Sequence, residues 1–222
     1  MSQAVILHGS CPSCNKHVDI HYYESVNVNE DPSLKIKILD SSFFRQSCPH
    51  CHRQIPVVAP VLYHDPEAAL MLYMIPVGYE RSTAKLSQLL GVLLQQEKEH
   101  ASHYRTRTVS SPDKLIEKIH IFNDGLNDSA VELVKLTCLK QYSADLGKVR
   151  SMVYRSADEQ QPARILFARE KDAAPASVVF SQSLYEYYLS KLPAESEANQ
   201  HEFPTIDERS ALSRITASKH SV

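Results

Sequence analysis

The chain begins with strand-like alternation of apolar and polar residues and changes to helical spacing near residue 80. Val18, Ile20 and Tyr22 alternate with polar neighbours, which is the period of two expected for a half-buried strand. The predicted strands of this region are residues 17–28, 33–39, 54–63 and 68–75. Turn-forming residues separate the first two, so we expect them to pair as a hairpin. Two prolines in the third place it at a sheet edge.

Beyond residue 80, leucines recur at spacings of three and four, which predicts an amphipathic helix. Ser111 and Pro112 are typical of a helix start. Ser129 and Glu132 match a capping box at the start of another helix. The predicted helices are 81–102, 112–122, 129–142 and 184–192, with one or two further turns within 207–215. The predicted later strands are 149–155, 163–169 and 177–180.

Composition and charge exclude several classes of protein. The chain has 222 residues, 43% of them apolar, and a net charge of -2. Its most apolar segment, 68–77, is about half as long as a bilayer requires. The N-terminus lacks the basic start of a signal peptide, so we expect a cytoplasmic protein without a membrane span. Residues 1–79 carry five Lys/Arg against seven Asp/Glu, which argues against nucleic-acid binding.

The sequence Ser-Cys-Pro-x-Cys occurs twice, at residues 10–14 and 47–51, and supplies four of the five cysteines. A Cys-x-x-Cys turn directs two thiolates to one side, and two such turns can form a tetrahedral four-thiolate zinc site. The 33 residues between the pairs exceed the common spacing of about 15–20. A folded hairpin between them would nevertheless bring the pairs together. The predicted zinc ligands are Cys11, Cys14, Cys48 and Cys51.

The second pair, Cys48-Pro-His-Cys51, also resembles a redox dithiol. In such enzymes the motif lies at a helix N-terminus, which lowers the thiol pKa. Here the residues after each pair favour a strand, and a doubled motif is needed for a metal cage but not for a dithiol. Asn15 also suits the left-handed conformation that closes a zinc knuckle. The pattern therefore favours zinc over iron or another metal, with a thiol–disulfide oxidoreductase as the alternative.

Both Cys-Pro-x-Cys motifs, with the segment 31–35 between them, resemble the bacterial CpXC domain family. Residues 62–66 and 119–128 are also similar to stretches of that family, so the resemblance covers about residues 5–140. It implies the zinc site and the fold, and no particular activity. One departure is His52, which stands where such turns often have glycine.

We therefore predict an α+β fold with a zinc-ribbon-like antiparallel β-sheet at its N-terminus. Helices follow, and then a small α/β C-terminal part. The predicted regions are a CpXC zinc-ribbon-like β module at 1–79, a helical region at 80–145 and a C-terminal region with a polar tail at 146–222.

Other candidate groups have a plain structural explanation. Glu97 and His100 have the spacing used by di-iron bundles, but such a site needs a second copy, so a solvated helix end is predicted. His50 and His52 flank a cysteine that already has three thiol partners, so we expect exposed turn residues. Cys138 lies in the apolar stripe of a helix and is predicted to be a buried thiol.

A zinc ion closed by four thiolates has no open position for substrate or water, so the sequence predicts a structural metal and no enzyme activity. The predicted function is a protein-interaction module whose partner is another protein or a second copy of the chain. The alternatives are a thiol–disulfide oxidoreductase using the second cysteine pair, or a zinc-ribbon nucleic-acid-binding protein. The last rests on analogy of fold alone.

Overall fold

The computed structural model describes residues 2–79, 104–170, 176–193 and 203–218. Two compact units are defined by their internal contacts. The N-terminal unit comprises residues 1–116 with 199–204, and the C-terminal unit comprises 117–198 with 205–222. The three predicted regions, bounded near residues 79 and 145, remain a prediction. The predicted helix at 81–102 and the residues Glu97 and His100 lie outside the described residues.

The N-terminal unit contains a five-stranded sheet with the order β1-β2-β5-β6-β7 and a separate two-stranded sheet of β3 and β4. The strands are β1 (Gln3–Ser10), β2 (His17–Asn27), β3 (Arg45–Ser47), β4 (Gln54–Pro56), β5 (Val61–Asp65), β6 (Leu70–Met74) and β7 (Arg105–Val109). The pairs β1–β2, β3–β4 and β5–β6 are antiparallel, whereas β2–β5 and β6–β7 are parallel. Every residue of β5 and β6 is buried, so the core lies at the centre of the larger sheet.

The predicted strand at 33–39 is wrong: this segment is helix α1 (Pro32–Leu39), followed by a 3-10 turn at Ser42–Phe44. Its apolar residues at alternate positions fit both periods, but only Leu34 and Ile38 are buried, and these are four residues apart. Ile36, between them, is exposed. Pro32 lies in the first turn, where its missing N–H costs nothing.

A partly buried ion pair connects α1 to the larger sheet. Lys35 Nζ lies 2.7 Å from Asp65 Oδ2 at the end of β5, and the Tyr63 hydroxyl donates to the same oxygen at 3.0 Å. Burial opposes ionisation of this carboxyl, but the hydrogen bonds from Lys35 and Tyr63 outweigh it and lower the pKa of Asp65. The segment between the two cysteine pairs therefore contains a helix anchored to the larger sheet, in place of the predicted hairpin.

The C-terminal unit combines helices with a three-stranded antiparallel sheet of order β10-β9-β8. The helices are α2 (Pro112–Asn123), α3 (Asp128–Gln141), α4 (Ser143–Leu146), α5 (Gln182–Leu189) and α6 (Glu208–Ser218). The strands are β8 (Val149–Arg155), β9 (Arg164–Arg169) and β10 (Ala176–Val179). The unit boundary falls within α2. The described residues thus form a mixed α+β fold with an antiparallel-rich N-terminal sheet, then helices and a small C-terminal sheet, as the sequence predicts.

The predicted capping box at Ser129 is wrong by two residues. Helix α3 is capped by Asn127, whose side-chain oxygen accepts a hydrogen bond from the Ala130 N–H at 3.0 Å. Glu132, the other half of the predicted box, is fully buried. The Glu132 side chain therefore lies in the interior of the unit, and Asn127 caps the helix.

Buried charges of opposite sign join α2 to α3. Lys118 Nζ lies 2.9 Å from Asp128 Oδ2 and 3.4 Å from Glu132 Oε1. Lys135 Nζ lies 2.8 Å from Glu117 Oε1 and 2.6 Å from Glu132 Oε2. These five side chains are at most 2% exposed. Burial disfavours a charged Lys135, but Glu117 and Glu132 overcome it and raise the pKa of Lys135. We call this set the buried ionic network.

Candidate metal centre

Each Cys-Pro-x-Cys motif forms the turn of a β-hairpin. In the turn between β1 and β2, the Asn15 N–H donates to the Cys11 carbonyl at 2.8 Å, and the Cys11 N–H donates to the Lys16 carbonyl at 2.9 Å. Asn15 has a φ of 55°, the left-handed conformation predicted for it. These bonds hold the chain reversal, so both thiols of the pair lie at the tip of one hairpin.

The turn between β3 and β4 repeats this arrangement. The His52 N–H donates to the Cys48 carbonyl and the Cys48 N–H donates to the Arg53 carbonyl, both at 2.9 Å. His52 has a φ of 59° and occupies the position equivalent to Asn15. Histidine is among the residues that enter this region more readily than most, so the departure from glycine is accommodated in the turn. We call the two hairpins together, residues 3–27 and 45–56, the double hairpin.

Backbone amides in both turns point at the first sulfur of each pair. The Ser13 N–H lies 3.4 Å from Cys11 Sγ, and the His50 N–H lies 3.4 Å from Cys48 Sγ. An N–H donor stabilises the negative charge of a thiolate more than it stabilises a neutral thiol. The hydrogen bond from Ser13, with one from the Cys14 amide, lowers the pKa of Cys11 to about 6.

Cys51 holds its proton more tightly than Cys11, although the two sulfurs lie only 3.8 Å apart. A hydrogen bond from the backbone amide of Arg53 favours the thiolate of Cys51. Burial and the neighbouring thiols oppose it, and together they raise the pKa of Cys51 to about 11. Four sulfurs so close together cannot all ionise without a cation between them, because their charges repel. The site therefore has one thiol that deprotonates readily and another that resists deprotonation.

The four sulfurs lie at the distances required by a tetrahedral metal site. Cys11 Sγ is 3.8 Å from Cys51 Sγ, and Cys14 Sγ is 3.8 Å from Cys48 Sγ. Each sulfur of the set lies within 4.8 Å of the others. Four thiolates bonded to one zinc ion at about 2.3 Å would be about 3.8 Å apart. The structure thus brings together the four cysteines that the sequence selects, and the donor set fits a soft, tetrahedral metal ion.

Very little apolar material surrounds these sulfurs. The buried members of the cluster are Cys11, Cys48, Val18 and Ile55. Ile20 and the other two cysteines are partly buried and pack against them. Three aliphatic side chains cannot replace the stabilisation that a small domain ordinarily obtains from its core. Apart from the thiols, polar contacts join the two hairpins: the His21 N–H donates to Gln46 Oε1 at 3.0 Å, and Gln46 Nε2 donates to the Asp19 carbonyl at 2.7 Å.

Neither cysteine pair begins a helix. Strand β2 follows Cys14 after two residues, and strand β4 follows Cys51 after two residues. The helix dipole that activates redox dithiols therefore has no counterpart at either turn. All four are free thiols, as is Cys138 in α3. Burial raises the pKa of Cys138, as expected for an inert buried thiol.

The histidines beside the second pair lie at the surface. His50 and His52 are exposed, and the His50 ring nitrogen Nε2 lies 3.2 Å from the carbonyl of His17. This agrees with the expectation that they are exposed turn residues. Within the described residues, the candidate ligand set at this position consists of the four sulfurs and includes no histidine.

Sequence reasoning missed strand β1, although its signal was present. Ala4 to Leu7 form an apolar run that leads directly into the first cysteine turn. In the described part of the chain β1 pairs with β2 and has no strand on its other side. Ile6 and Leu7 are 52% and 57% exposed. The double hairpin thus presents an apolar strand edge.

An open groove of about 380 Å³ adjoins this strand. Its lining is apolar and aromatic except for one carboxylate. The lining residues are Leu7, Ile20, Tyr22, Glu24, Pro56, Val57, Val58, Ala59, Pro60, Tyr73 and Tyr79. Tyr79 and Val58 are 44% and 37% exposed, so the groove retains accessible apolar surface.

The fold and the site define a class: an α+β protein with a four-cysteine centre built from two hairpin turns. The family model described as CpXC protein matches residues 10–135, which is more than half of the chain. The chain therefore belongs to the CpXC family, as the two motifs indicate. No curated protein and no solved structure matches it. Among the described helices, none has both the length and the apolar character needed to cross a bilayer.

Proposed function

We propose that this chain is a non-catalytic interaction protein in which Cys11, Cys14, Cys48 and Cys51 bind a structural zinc ion. The observation that carries the proposal is the arrangement of four sulfurs at metal-binding distances across two hairpin turns. Zinc favours four thiolates in tetrahedral geometry, and its binding free energy becomes folding free energy where no preformed core exists.

The closed set of ligands supports a structural role. A catalytic zinc keeps a coordination position for water or substrate, whereas four protein thiolates fill a tetrahedral ion. When bound, zinc would supply positive charge and fixed geometry. The amides of Ser13 and His50 would hydrogen-bond the thiolates and keep the turns oriented.

Strand β1 supports the interaction role. Exposed strand edges pair readily with extended segments of other chains, and proteins usually protect them. Here Ile6 and Leu7 are exposed on opposite faces of an eight-residue edge strand. We infer that the partner, or a second copy of this chain, adds an extended segment to β1 through backbone hydrogen bonds.

Metal content and thiol reactivity together test the zinc part. Tag-free protein purified without added metal should contain about one zinc per chain, and Cys11, Cys14, Cys48 and Cys51 should resist thiol reagents until chelation removes the zinc. Cys48→Ala should lose the zinc, whereas Cys138→Ala, which removes a cysteine outside the site, should keep it. A metal-free protein that cycles a disulfide and reduces a model disulfide substrate would contradict the proposal.

The oxidoreductase alternative has one observation in its favour, the lowered pKa of Cys11. A thiol of this kind is a thiolate at neutral pH and hence a nucleophile. It lies in the first pair, however, whereas the redox alternative was predicted for the second. Loss of disulfide exchange in Cys11→Ala but not in Cys48→Ala would identify this chemistry.

Substitution of exposed apolar residues tests the interaction part. Leu7→Lys should weaken self-association or partner binding at least tenfold, because it adds a charge to the strand-pairing surface. Ile36→Lys is the matched control, since Ile36 is 66% exposed on α1, away from the β1 edge. Association measured by sedimentation or with a purified partner should be unchanged in this control. Equal loss in both variants would contradict a role for β1.

A further inference from the structure

A second group of ligand-type side chains lies on the β1–β2 hairpin, apart from the cysteines. His8 on β1 and His17 and Asp19 on β2 each place one donor atom within 4.8 Å of the other two. All three are exposed. The side chains of His8 and Asp19 are 71% and 49% accessible.

Strand register places these residues on one face. His8 lies opposite Asp19, and His17 lies opposite Ser10, two residues along from His8. Side chains opposite one another in an antiparallel pair point to the same face, as do residues two apart. The apolar residues Val18 and Ile20 alternate with them and face the cysteine cluster. No packing role therefore accounts for histidines on the outer face.

The His8 ring is already oriented by the carboxylate. His8 Nδ1 lies 2.7 Å from Asp19 Oδ1, and the rings of His8 and His17 stack with centroids 5.9 Å apart. The hydrogen bond from His8, with the nearby His17 and His21, lowers the pKa of Asp19. The contact shows that a ring nitrogen and a carboxylate oxygen already meet at one position on this face.

We propose that His8, His17 and Asp19 form a second site, which binds a divalent transition metal ion such as Ni²⁺ or Zn²⁺. Two imidazoles and a carboxylate are ligands that these borderline ions accept, and they differ from the soft thiolates of the first site. Ligands of a tetrahedral ion with bonds of about 2.0–2.1 Å lie about 3.3 Å apart. Donor atoms up to 4.8 Å apart must therefore approach by up to about 1.5 Å, and the His8–Asp19 contact of 2.7 Å must open to about 3.3 Å, both of which rotation of exposed side chains allows.

The proposed site differs in kind from the cysteine centre. Three protein ligands leave at least one coordination position for water or for a group supplied by a partner. Because its ligands are exposed and must reorient, we expect weaker and more exchangeable binding than at four thiolates. The inference does not depend on which metal the cysteines hold.

Titration of tag-free, full-length protein with Ni²⁺ tests the site, starting from whatever metal the purified chain contains. Calorimetry should show one Ni²⁺ ion bound per chain at micromolar concentration without release of the resident metal. His8→Ala, His17→Ala and Asp19→Asn should each weaken this binding at least tenfold. His52→Asn is the control, because it removes an exposed histidine of the other hairpin and retains a residue suited to positive φ.

Each variant is first checked for an unchanged resident metal content and unchanged circular dichroism. If His17→Ala, three residues from Cys14, loses its resident metal, Asp19→Asn decides the test, because Asp19 is five residues from Cys14. Absence of saturable Ni²⁺ and Zn²⁺ binding below millimolar concentration would overturn the proposal. So would a His52→Asn variant that binds as weakly as His8→Ala, since binding would then be a general property of surface histidines.

Discussion

The double hairpin and the helix pair α2–α3 both bury ionisable groups, but they balance the charges in different ways. In the double hairpin, four thiols face one another beside three aliphatic side chains. In the helix pair, two ammonium groups face three carboxylates with almost no exposure to water. The first set can carry only negative charge when ionised, whereas the second contains both signs.

This difference determines what each region needs in order to fold. Like charges at a few ångströms in a poorly solvated site repel strongly, so the thiolates require a cation from outside the chain. The buried ionic network contains its own cations, Lys118 and Lys135, which face three carboxylates and leave these five side chains with one excess negative charge. We therefore expect the stability of the double hairpin to depend on metal, and that of the helix pair to depend on sequence alone.

Metal removal should produce the largest effect. Zinc binding at structural thiolate sites contributes apparent free energies of about 10–16 kcal/mol, which two short hairpins with this little apolar core cannot replace. After chelation we expect fast amide exchange in β1 to β4 and retained protection in α3. Hydrogen exchange followed by mass spectrometry, resolved by peptide, measures both regions in one sample.

Two variants make this experiment decisive. Cys48→Ala should show the open double hairpin before any chelator is added, and Cys138→Ala should respond to chelation as the natural chain does. Unchanged protection of β1 to β4 in metal-free protein would break the comparison, because the hairpins would then be stable without a cation.

Removing one cation from the buried ionic network should have the next largest effect. Lys135→Met leaves Glu117 and Glu132 facing each other with no ammonium between them, and an uncompensated buried charge costs about 3–5 kcal/mol. Urea unfolding monitored in the C-terminal unit should show this loss both with and without chelator.

The matched control for this change is Lys148→Met. Lys148 forms an ion pair of similar length with Glu170, 2.8 Å, but its side chain is 76% exposed. Exposed pairs contribute about 0–1 kcal/mol, so little change is expected. If the two variants lose the same stability, burial does not distinguish these ion pairs and the comparison fails.

The sequence specifies the cysteine centre because its information is local. Each turn is defined by two thiols at a fixed spacing and a residue able to adopt positive φ. Both turns can therefore be recognised without knowing whether a hairpin or a helix connects them. The connection itself was mispredicted, since Leu34, Ile36 and Ile38 fit a strand as well as a helix. Only burial of Leu34 and Ile38 against the rest of the unit decides between them.

The buried ionic network could not be predicted from the same patterns. Lysine and glutamate on a helix ordinarily mark its solvent face, so Lys118 and Lys135 give no sign of burial in the sequence. The spacing of Ser129 and Glu132 instead predicts a capping box. Pairing across α2 and α3 makes these charges compatible with the interior, and that pairing exists only in the folded unit.

The cap of α3 gives a smaller effect that sharpens the comparison. Asn127→Ala removes the acceptor for the Ala130 N–H and should destabilise the C-terminal unit by about 1 kcal/mol. Asn127→Ser retains a capping oxygen and should recover most of this loss. Urea midpoints at constant slope measure both. Since the cap and the thiols belong to different units, metal content should stay constant, and a loss of zinc in Asn127→Ala would show that the two regions are not energetically separate.

The smallest expected effect concerns acid, and it tests whether the C-terminal unit has a pH dependence of its own. Burial, and then the positive charge of Arg155, lower the pKa of His120 in the folded chain, although Asp124 partly opposes them. Its Nδ1 lies 2.9 Å from Ser156 Oγ. Because the unfolded chain binds this proton more readily, stability falls as the pH drops below about 6.5, by at most about 1.4 kcal/mol per pH unit.

His120→Gln should abolish this component in urea unfolding of the C-terminal unit between pH 7.5 and 5.5. His21→Gln, an exposed histidine of the other unit, should not. Equal slopes in the natural chain and in His120→Gln would show that this histidine contributes no pH dependence to the C-terminal unit in this range.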